Sequence, residues 1–113
     1  MVKHSELELE GANFISRFLA SNEQMRDAMR AEGADLASRL RQKAIDLAMS
    51  RATELSPKIP LYHLLAAKVA LLAHWPDSQA LKIFEDDIRY YRIFESTRAW
   101  VDDYERFREA YTK

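Results

Sequence analysis

The first apolar pattern of the chain has the period of an amphipathic helix. Leu7, Phe14 and Phe18 lie seven and four residues apart, so they share one face of a helix. Ser5 is followed three residues later by a glutamate, which is the form of a capping box. The pattern therefore predicts a first helix near residues 6–20.

A second helical pattern begins after a short turn and passes through a glycine. Ser21, with the glutamine three residues later, repeats the capping signature, so the first two helices are expected to pack as antiparallel neighbours. From Met25 onward the apolar residues keep one phase on both sides of Gly33, which favours one helix over residues 22–55, about 50 Å long. In the alternative, one helix ends at Gly33 and another begins with Asp35 as its N-cap.

The clearest break in the chain is the segment that contains Pro57 and Pro60. Each proline disfavours helical geometry in the residue before it, so the long helix is expected to end there. The next segment, residues 60–75, is apolar on nearly every side, as is typical of a helix buried at the centre of a bundle. Its length of about 15 residues is too short to span a membrane.

The C-terminal third of the chain is rich in aromatic residues, and Asp77 is expected to cap the helix that begins it. The apolar residues form two stripes, one through Leu81, Phe84, Ile88 and Tyr91 and another through Trp100, Tyr104, Phe107 and Tyr111. At 100° per residue the two stripes lie roughly 160° apart on one straight helix. The two stripes can therefore face the same core only if the helix breaks.

Two structures would resolve this change of phase. The helix breaks near residues 95–97, with Ser96 or Thr97 capping a new helix that folds back, or it continues and turns its second stripe toward a partner. Strong helix formers and the absence of glycine and proline between 78 and 111 favour a continuous or kinked helix. On that interpretation the predicted protein interface consists of Tyr90, Phe94, Trp100, Tyr104, Phe107 and Tyr111.

The composition is that of a compact helical protein. The chain has 113 residues, 48% hydrophobic and 31% charged, with two glycines, three prolines and no cysteine. We expect a single all-α domain over residues 1–113, a small bundle of four to five helices that the long second helix would make elongated. The lack of cysteine excludes disulfides and Cys-ligated zinc, and the acidic first residues predict no secretory signal. We expect a cytoplasmic protein without a membrane segment.

Catalytic, cofactor and metal motifs are absent from the sequence. His63 and His74 are eleven residues apart, or about 16 Å along a helix, so they cannot share a metal ion. Consecutive acids at 85–87 and 102–103 point about 100° apart and do not converge as catalytic carboxylates do. The sequence therefore predicts a protein that is not an enzyme and has no cofactor or metal.

The density of rings leads to the principal functional hypothesis. Tyrosine and tryptophan are over-represented among the residues that carry the binding energy of interfaces. We expect a small regulatory protein-binding module, an adaptor, anti-activator or inhibitor, which contacts another protein or forms a homodimer.

The alternative is a nucleic-acid-binding transcriptional regulator that uses the weakly basic helix at 36–58. Its basic residues are Arg39, Arg41, Lys43, Arg51 and Lys58. A net charge of −1 and the lack of a helix-turn-helix pattern both argue against nucleic acid as the partner.

Overall fold

The computed structural model describes residues 3–50, 57–75 and 77–111. These residues form α1 (Lys3–Ala20), α2 (Glu23–Ser50), α3 (Lys58–His74), α4 (Ser78–Tyr90), a short 3-10 helix (Tyr91–Ile93) and α5 (Arg98–Tyr111). The predicted all-α bundle of four to five helices is confirmed. Both predicted capping boxes are wrong, because Ser5 lies within α1 and Ser21 precedes the residue that caps α2.

Helices α1 and α2 form an antiparallel hairpin, as the sequence predicts. The connection consists of two residues, and the second of them, Asn22, caps α2 by accepting a hydrogen bond from the Met25 N–H at 2.9 Å. Two ion pairs join the helices at separate levels, Arg17 with Glu32 and Arg39 with Glu10. The tight turn thus keeps the two helices in register.

Helix α2 runs through Gly33 without a break, so the prediction of continuity is confirmed. A β-carbon at position 33 would lie 2.6 Å from Cζ of Phe14 and 2.9 Å from Cβ of Ala73. The glycine therefore lets α1 and α3 approach α2 closely at this level. Helix α2 is described as far as Ser50, and residues 51–55 of the predicted range lie outside the described residues.

Helix α3 is the buried central helix that the apolar run predicts. It packs against each of the other four helices, and Pro60 lies in its first turn. Its buried residues are Tyr62, Leu64, Ala66, Ala67, Val69, Ala70, Leu71, Leu72 and Ala73. Small alanines on several sides of α3 allow its neighbours to surround it.

The aromatic segment breaks after α4, so the favoured prediction of a continuous helix is wrong. The backbone of Phe94 is extended (φ −103°, ψ 128°), and α5 then folds back along α4. The return is evident from Tyr104 and Arg108, which both donate hydrogen bonds to Glu85. Folding back lets residues of both stripes face one core, because Leu81, Phe84, Ile88 and Tyr104 are all buried.

The molecule is compact. Its extents are 42 × 32 × 22 Å and its radius of gyration is 13.7 Å, close to the about 13 Å expected for a chain of this length. The 28 residues of α2, at about 1.5 Å per residue, account for the longest dimension. The elongated shape that the sequence suggested is therefore not found, because the other helices cover α2 along its length.

Candidate functional site

Three exposed apolar side chains lie together where α4 ends. Tyr90, Ile93 and Phe94 have exposed fractions of 58%, 69% and 42%. The Tyr90 and Phe94 rings contact edge to face, with their centroids 5.4 Å apart. We call residues 90–94 the aromatic turn, and its exposed apolar surface is the candidate site.

Polar side chains from the following segment hold the aromatic turn in shape. The Thr97 hydroxyl donates a hydrogen bond to the Tyr91 carbonyl at 2.8 Å, and Nε of Arg98 donates one to the Arg92 carbonyl at 3.3 Å. These bonds satisfy carbonyls that the end of a helix leaves without partners, a task for which a glycine cap is often used. The turn is therefore built without glycine or proline, and the absence of these residues is why a continuous helix was favoured over the alternative of a break near residues 95–97.

The six residues predicted as an interface do not form one surface. Tyr104 is fully buried, Trp100 and Phe107 are partly buried against the core, and Tyr111 is exposed at the far end of α5. Only Tyr90 and Phe94 belong to the aromatic turn. The predicted outward stripe through Tyr104 is wrong, because the break in the helix turns it toward α3 and α4.

Ile93 is the residue of the aromatic turn that sequence reasoning missed. It was not included in either apolar stripe, and its exposed fraction is the largest of the three. Its position seven residues before Trp100, which gives it the helical phase of the second stripe, was the available signal.

The buried carboxylate of Glu85 explains why Tyr104 is a structural residue. Glu85 is 7% exposed and accepts hydrogen bonds from Oη of Tyr104 at 2.6 Å and from Nε of Arg108 at 2.7 Å. Burial and the hydrogen bond to Glu85 raise the pKa of Tyr104. The polar tip of the ring is thus satisfied inside the molecule and links α5 to α4.

Basic side chains border the aromatic turn. Arg89 and Arg92 share the carboxylate of Glu105, at 3.1 and 3.4 Å. Arg98 has no ion-pair partner among the described residues, and Glu95 is an exposed acid in the same loop. With three arginines and two glutamates the border carries a local charge of +1 within a chain of net charge −1.

The basic residues predicted for nucleic acid are mostly engaged with carboxylates. Arg39 binds Glu10 and Asp35, Arg41 binds Asp87, and Lys58 binds Glu8, all at 3.1 Å or less. The hydrogen bond from Arg39 also holds the pKa of Glu10 below its ordinary value. Arg51 lies outside the described residues. The predicted basic helix at 36–58 is divided between α2 and α3, because Lys58 is the first residue of α3. A phosphate would have to compete with existing ion pairs at Arg39, Arg41 and Lys58.

His63 and His74 lie in separate packing environments. Nδ1 of His63 is 3.5 Å from Oδ2 of Asp87, which is long for a hydrogen bond, and it has no other hydrogen-bond partner among the described residues. Burial alone would raise the pKa of Asp87, but its interactions with His63 and Arg41 outweigh burial and lower it. His74 instead stacks on Phe84, with centroids 6.5 Å apart.

The described residues contain no group of three or more histidines, cysteines or acids that is arranged to hold a metal ion. Among the helices described above, none combines the length and apolar character needed to cross a bilayer.

Comparison with protein families, with curated proteins and with solved structures gave no match to the chain. Function is therefore inferred from the geometry of the described residues.

Proposed function

We propose that this chain is a small, non-enzymatic protein-binding module, an adaptor, anti-activator or inhibitor, that contacts another protein through the aromatic turn. The observation that carries the proposal is the exposure of Tyr90, Ile93 and Phe94 within one five-residue turn, with the Tyr90 and Phe94 rings in contact. Hydrogen bonds from Thr97 and Arg98 hold this cluster in place before a partner arrives. A preorganised apolar surface loses less conformational entropy on binding than a flexible one.

The size of the cluster suits the centre of an interface. Two half-exposed rings and an isoleucine offer roughly 300 Å² of apolar surface, taking about 200 Å² for a whole ring side chain. Patches of about 300–600 Å² are the largest on typical monomers and are often functional. A stable interface buries about 800 Å² on each partner, so the polar surfaces of α4 and α5 would form the rim.

The charges at the rim support a different protein as partner rather than a second copy. In a twofold dimer centred on the turn, Arg98 of each copy, which has no ion-pair partner among the described residues, would approach Arg98 of the other copy. Like charges brought together across an interface cost free energy. We therefore expect a partner with an apolar pocket surrounded by carboxylates, and binding that weakens as salt rises.

Nucleic acid has less support as a partner. Phosphate binding depends on cations that are free to neutralise the backbone, whereas Arg39, Arg41 and Lys58 are paired with carboxylates.

The proposal is tested in two steps. Proteins that bind to the purified, immobilised chain are captured, and the affinity of a captured protein for the chain is then measured. The Ile93→Ser/Phe94→Ser double variant is compared with the wild type. We expect that a partner captured by the wild type binds the double variant at least about 100-fold more weakly, because the substitutions remove a binding hot spot. Calorimetry with the purified partner measures the change.

Two exposed apolar residues elsewhere provide a matched control. Leu9 and Met49 have exposed fractions of 61% and 77%, and Leu9→Ser/Met49→Ser removes comparable apolar surface without touching the aromatic turn. Binding should survive in this control. Equal loss in both double variants, or no loss in the Ile93→Ser/Phe94→Ser protein, would overturn the proposal.

A further inference from the structure

A cavity at the opposite end of α5 from the aromatic turn combines rings with two guanidinium groups. It has a volume of about 250 Å³ and lies where the ends of α1, α3 and α5 meet the first turns of α2. The lining residues that matter here are Phe18, Glu23, Arg26, Arg30, Trp75 and Tyr111. Leucines of α1 and α3 complete its apolar wall.

Arg26 is a cation without a carboxylate partner among the described residues. Its Nε donates to the Phe18 carbonyl at 2.9 Å, and its Nη2 donates to the Leu19 carbonyl at 3.0 Å. These two bonds cap the C-terminal end of α1. A guanidinium has five N–H donors, so three remain for another acceptor.

Arg30 lies beside Arg26 and is also only partly neutralised. Its Nη1 donates to the Leu72 carbonyl at 2.7 Å, and its Nε binds Asp27 at 3.2 Å, where the Asp27 side chain is 71% exposed. Both guanidinium groups lie against the ring of Phe18, at 5.2 and 5.5 Å from its centroid. Two like charges are thus held against one ring.

Directed hydrogen bonds, rather than net charge, would hold an anion at the cavity. The carbonyl ends of α1, α3 and α5, together with the carboxylates of Glu23 and Asp27, offset the charges of the two arginines. Glu23 also lines the cavity, but it is exposed and forms no ion pair with either arginine. A carboxylate placed between the guanidinium groups would form charge-assisted hydrogen bonds with the donors that remain.

We propose that this cavity binds a small monocarboxylate that carries one planar apolar group, such as an aromatic acid. The carboxylate would accept hydrogen bonds from Arg26 and Arg30, while the planar group would pack against the exposed rings of Trp75 and Tyr111. The volume is near the lower limit of ligand pockets, about 300 Å³, so the cavity has room for one ring and one carboxylate but not for a much larger ligand. This site is independent of the aromatic turn.

Tryptophan fluorescence tests the proposal with benzoate as the probe. The Trp100→Phe variant leaves Trp75 as the single tryptophan, because the chain has two. We expect saturable quenching by benzoate with a Kd on the order of 1 mM, a reasonable affinity for so few atoms. Benzamide, its neutral analogue, should bind at least about tenfold more weakly, since the lost contact is a charged hydrogen bond.

Two variants in the same background locate the site. Arg26→Gln should weaken benzoate binding at least about tenfold, and Glu23→Gln should tighten it about twofold to threefold by removing a like charge. Arg17→Gln, which removes an exposed arginine of α1 that pairs with Glu32, is the matched control and should leave the Kd unchanged.

Three results would overturn the proposal: no saturation up to about 50 mM benzoate, equal affinity for benzamide, or unchanged affinity in both Arg26→Gln and Glu23→Gln. If Arg26→Gln does not fold, the benzamide comparison and the Glu23→Gln variant decide the outcome.

Discussion

At the scale of single residues, burial and hydrogen bonding separate aromatic side chains that look equivalent along the chain. Tyr104 is fully buried and donates to a buried carboxylate, whereas Tyr90 is 58% exposed. Tyr91 lies between these extremes, half-buried, with its ring 5.8 Å from that of His63. The same residue type is therefore part of the core at one position and exposed to solvent at another.

The hydrogen bond from Tyr104 to Glu85 leads to a prediction for stability. Tyr104→Phe is expected to lower the free energy of unfolding at pH 7 by about 1–3 kcal/mol, because it removes a bond to a buried charged acceptor. Urea denaturation followed by circular dichroism measures the loss. Tyr91→Phe is the control, since the Tyr91 hydroxyl has no hydrogen bond among the described residues, and it should change stability by less than about 0.5 kcal/mol.

The same substitution should also alter the dependence of stability on alkaline pH. Burial and Glu85 raise the pKa of Tyr104 in the folded protein, so above about pH 10 the unfolded chain loses this proton first. The free energy of unfolding of the wild type therefore falls as pH rises above about 10. The gap in the free energy of unfolding between the wild type and Tyr104→Phe should narrow. Burial also raises the pKa of Tyr62, to about 12, so part of the alkaline loss should persist in the variant. A gap that stays constant up to pH 11 would contradict this account.

At the scale of helices, packing density decides whether a helix tolerates a residue that weakens it. Glycine within a helix costs about 1 kcal/mol relative to alanine, yet α2 contains Gly33 at its crossing with α1 and α3. The glycine is explained by this close approach, because no side chain fits between Phe14 and Ala73. Gly11 of α1 is less confined, since the nearest atom to an added β-carbon would be Cδ1 of Leu40 at 3.3 Å.

These two glycines form a matched pair for mutation. Gly33→Ala is expected to destabilise the protein by about 1–3 kcal/mol, because overpacking outweighs the gain in helix propensity. Gly11→Ala should be neutral or stabilising by up to about 1 kcal/mol, because the flexible Leu40 side chain can shift by a few tenths of an ångström. Thermal unfolding of both variants measures the difference. Stabilisation by Gly33→Ala would mean that the three helices are farther apart than described.

At the scale of the whole molecule, α3 connects the other elements into one core. It contacts the α1–α2 hairpin and the α4–α5 pair, and Arg41 of α2 also pairs with Asp87 of α4 at 2.6 Å. A shared central helix makes it costly for either part to unfold alone, because its apolar surface would become exposed. A single domain over residues 1–113 remains the expectation.

Cooperative unfolding tests this expectation. We predict that helix content, measured by circular dichroism, and tryptophan fluorescence, from Trp75 and Trp100, change at the same urea concentration. Leu71→Ala, at a buried position near the C-terminal end of α3, should lower the free energy of unfolding by about 2–5 kcal/mol and shift both transitions together. Two separate midpoints would instead show that the α4–α5 pair unfolds independently.

The sequence by itself determined the helical class, the position of most helices and the buried centre. Helix α3 is apolar on nearly every side, and Asp77 caps α4 through bonds to the N–H groups of Gln79 and Ala80, as predicted. Pro57 precedes α3, but the helix begins at Lys58, so Pro60 does not keep Ile59 out of helical geometry. Periodicity, proline geometry and caps depend on a few neighbouring residues, so one sequence is enough to detect them.

Only the tertiary structure decided where the aromatic segment bends and which rings are exposed. The local signals near Thr97 were weak, and the free energy gained by burying both apolar stripes against α3 outweighs the cost of breaking a helix there. That bend places Tyr104 in the core and leaves Ile93 and Phe94 exposed. Contacts between residues distant in the chain set this balance, so the candidate site could not be obtained from local sequence patterns.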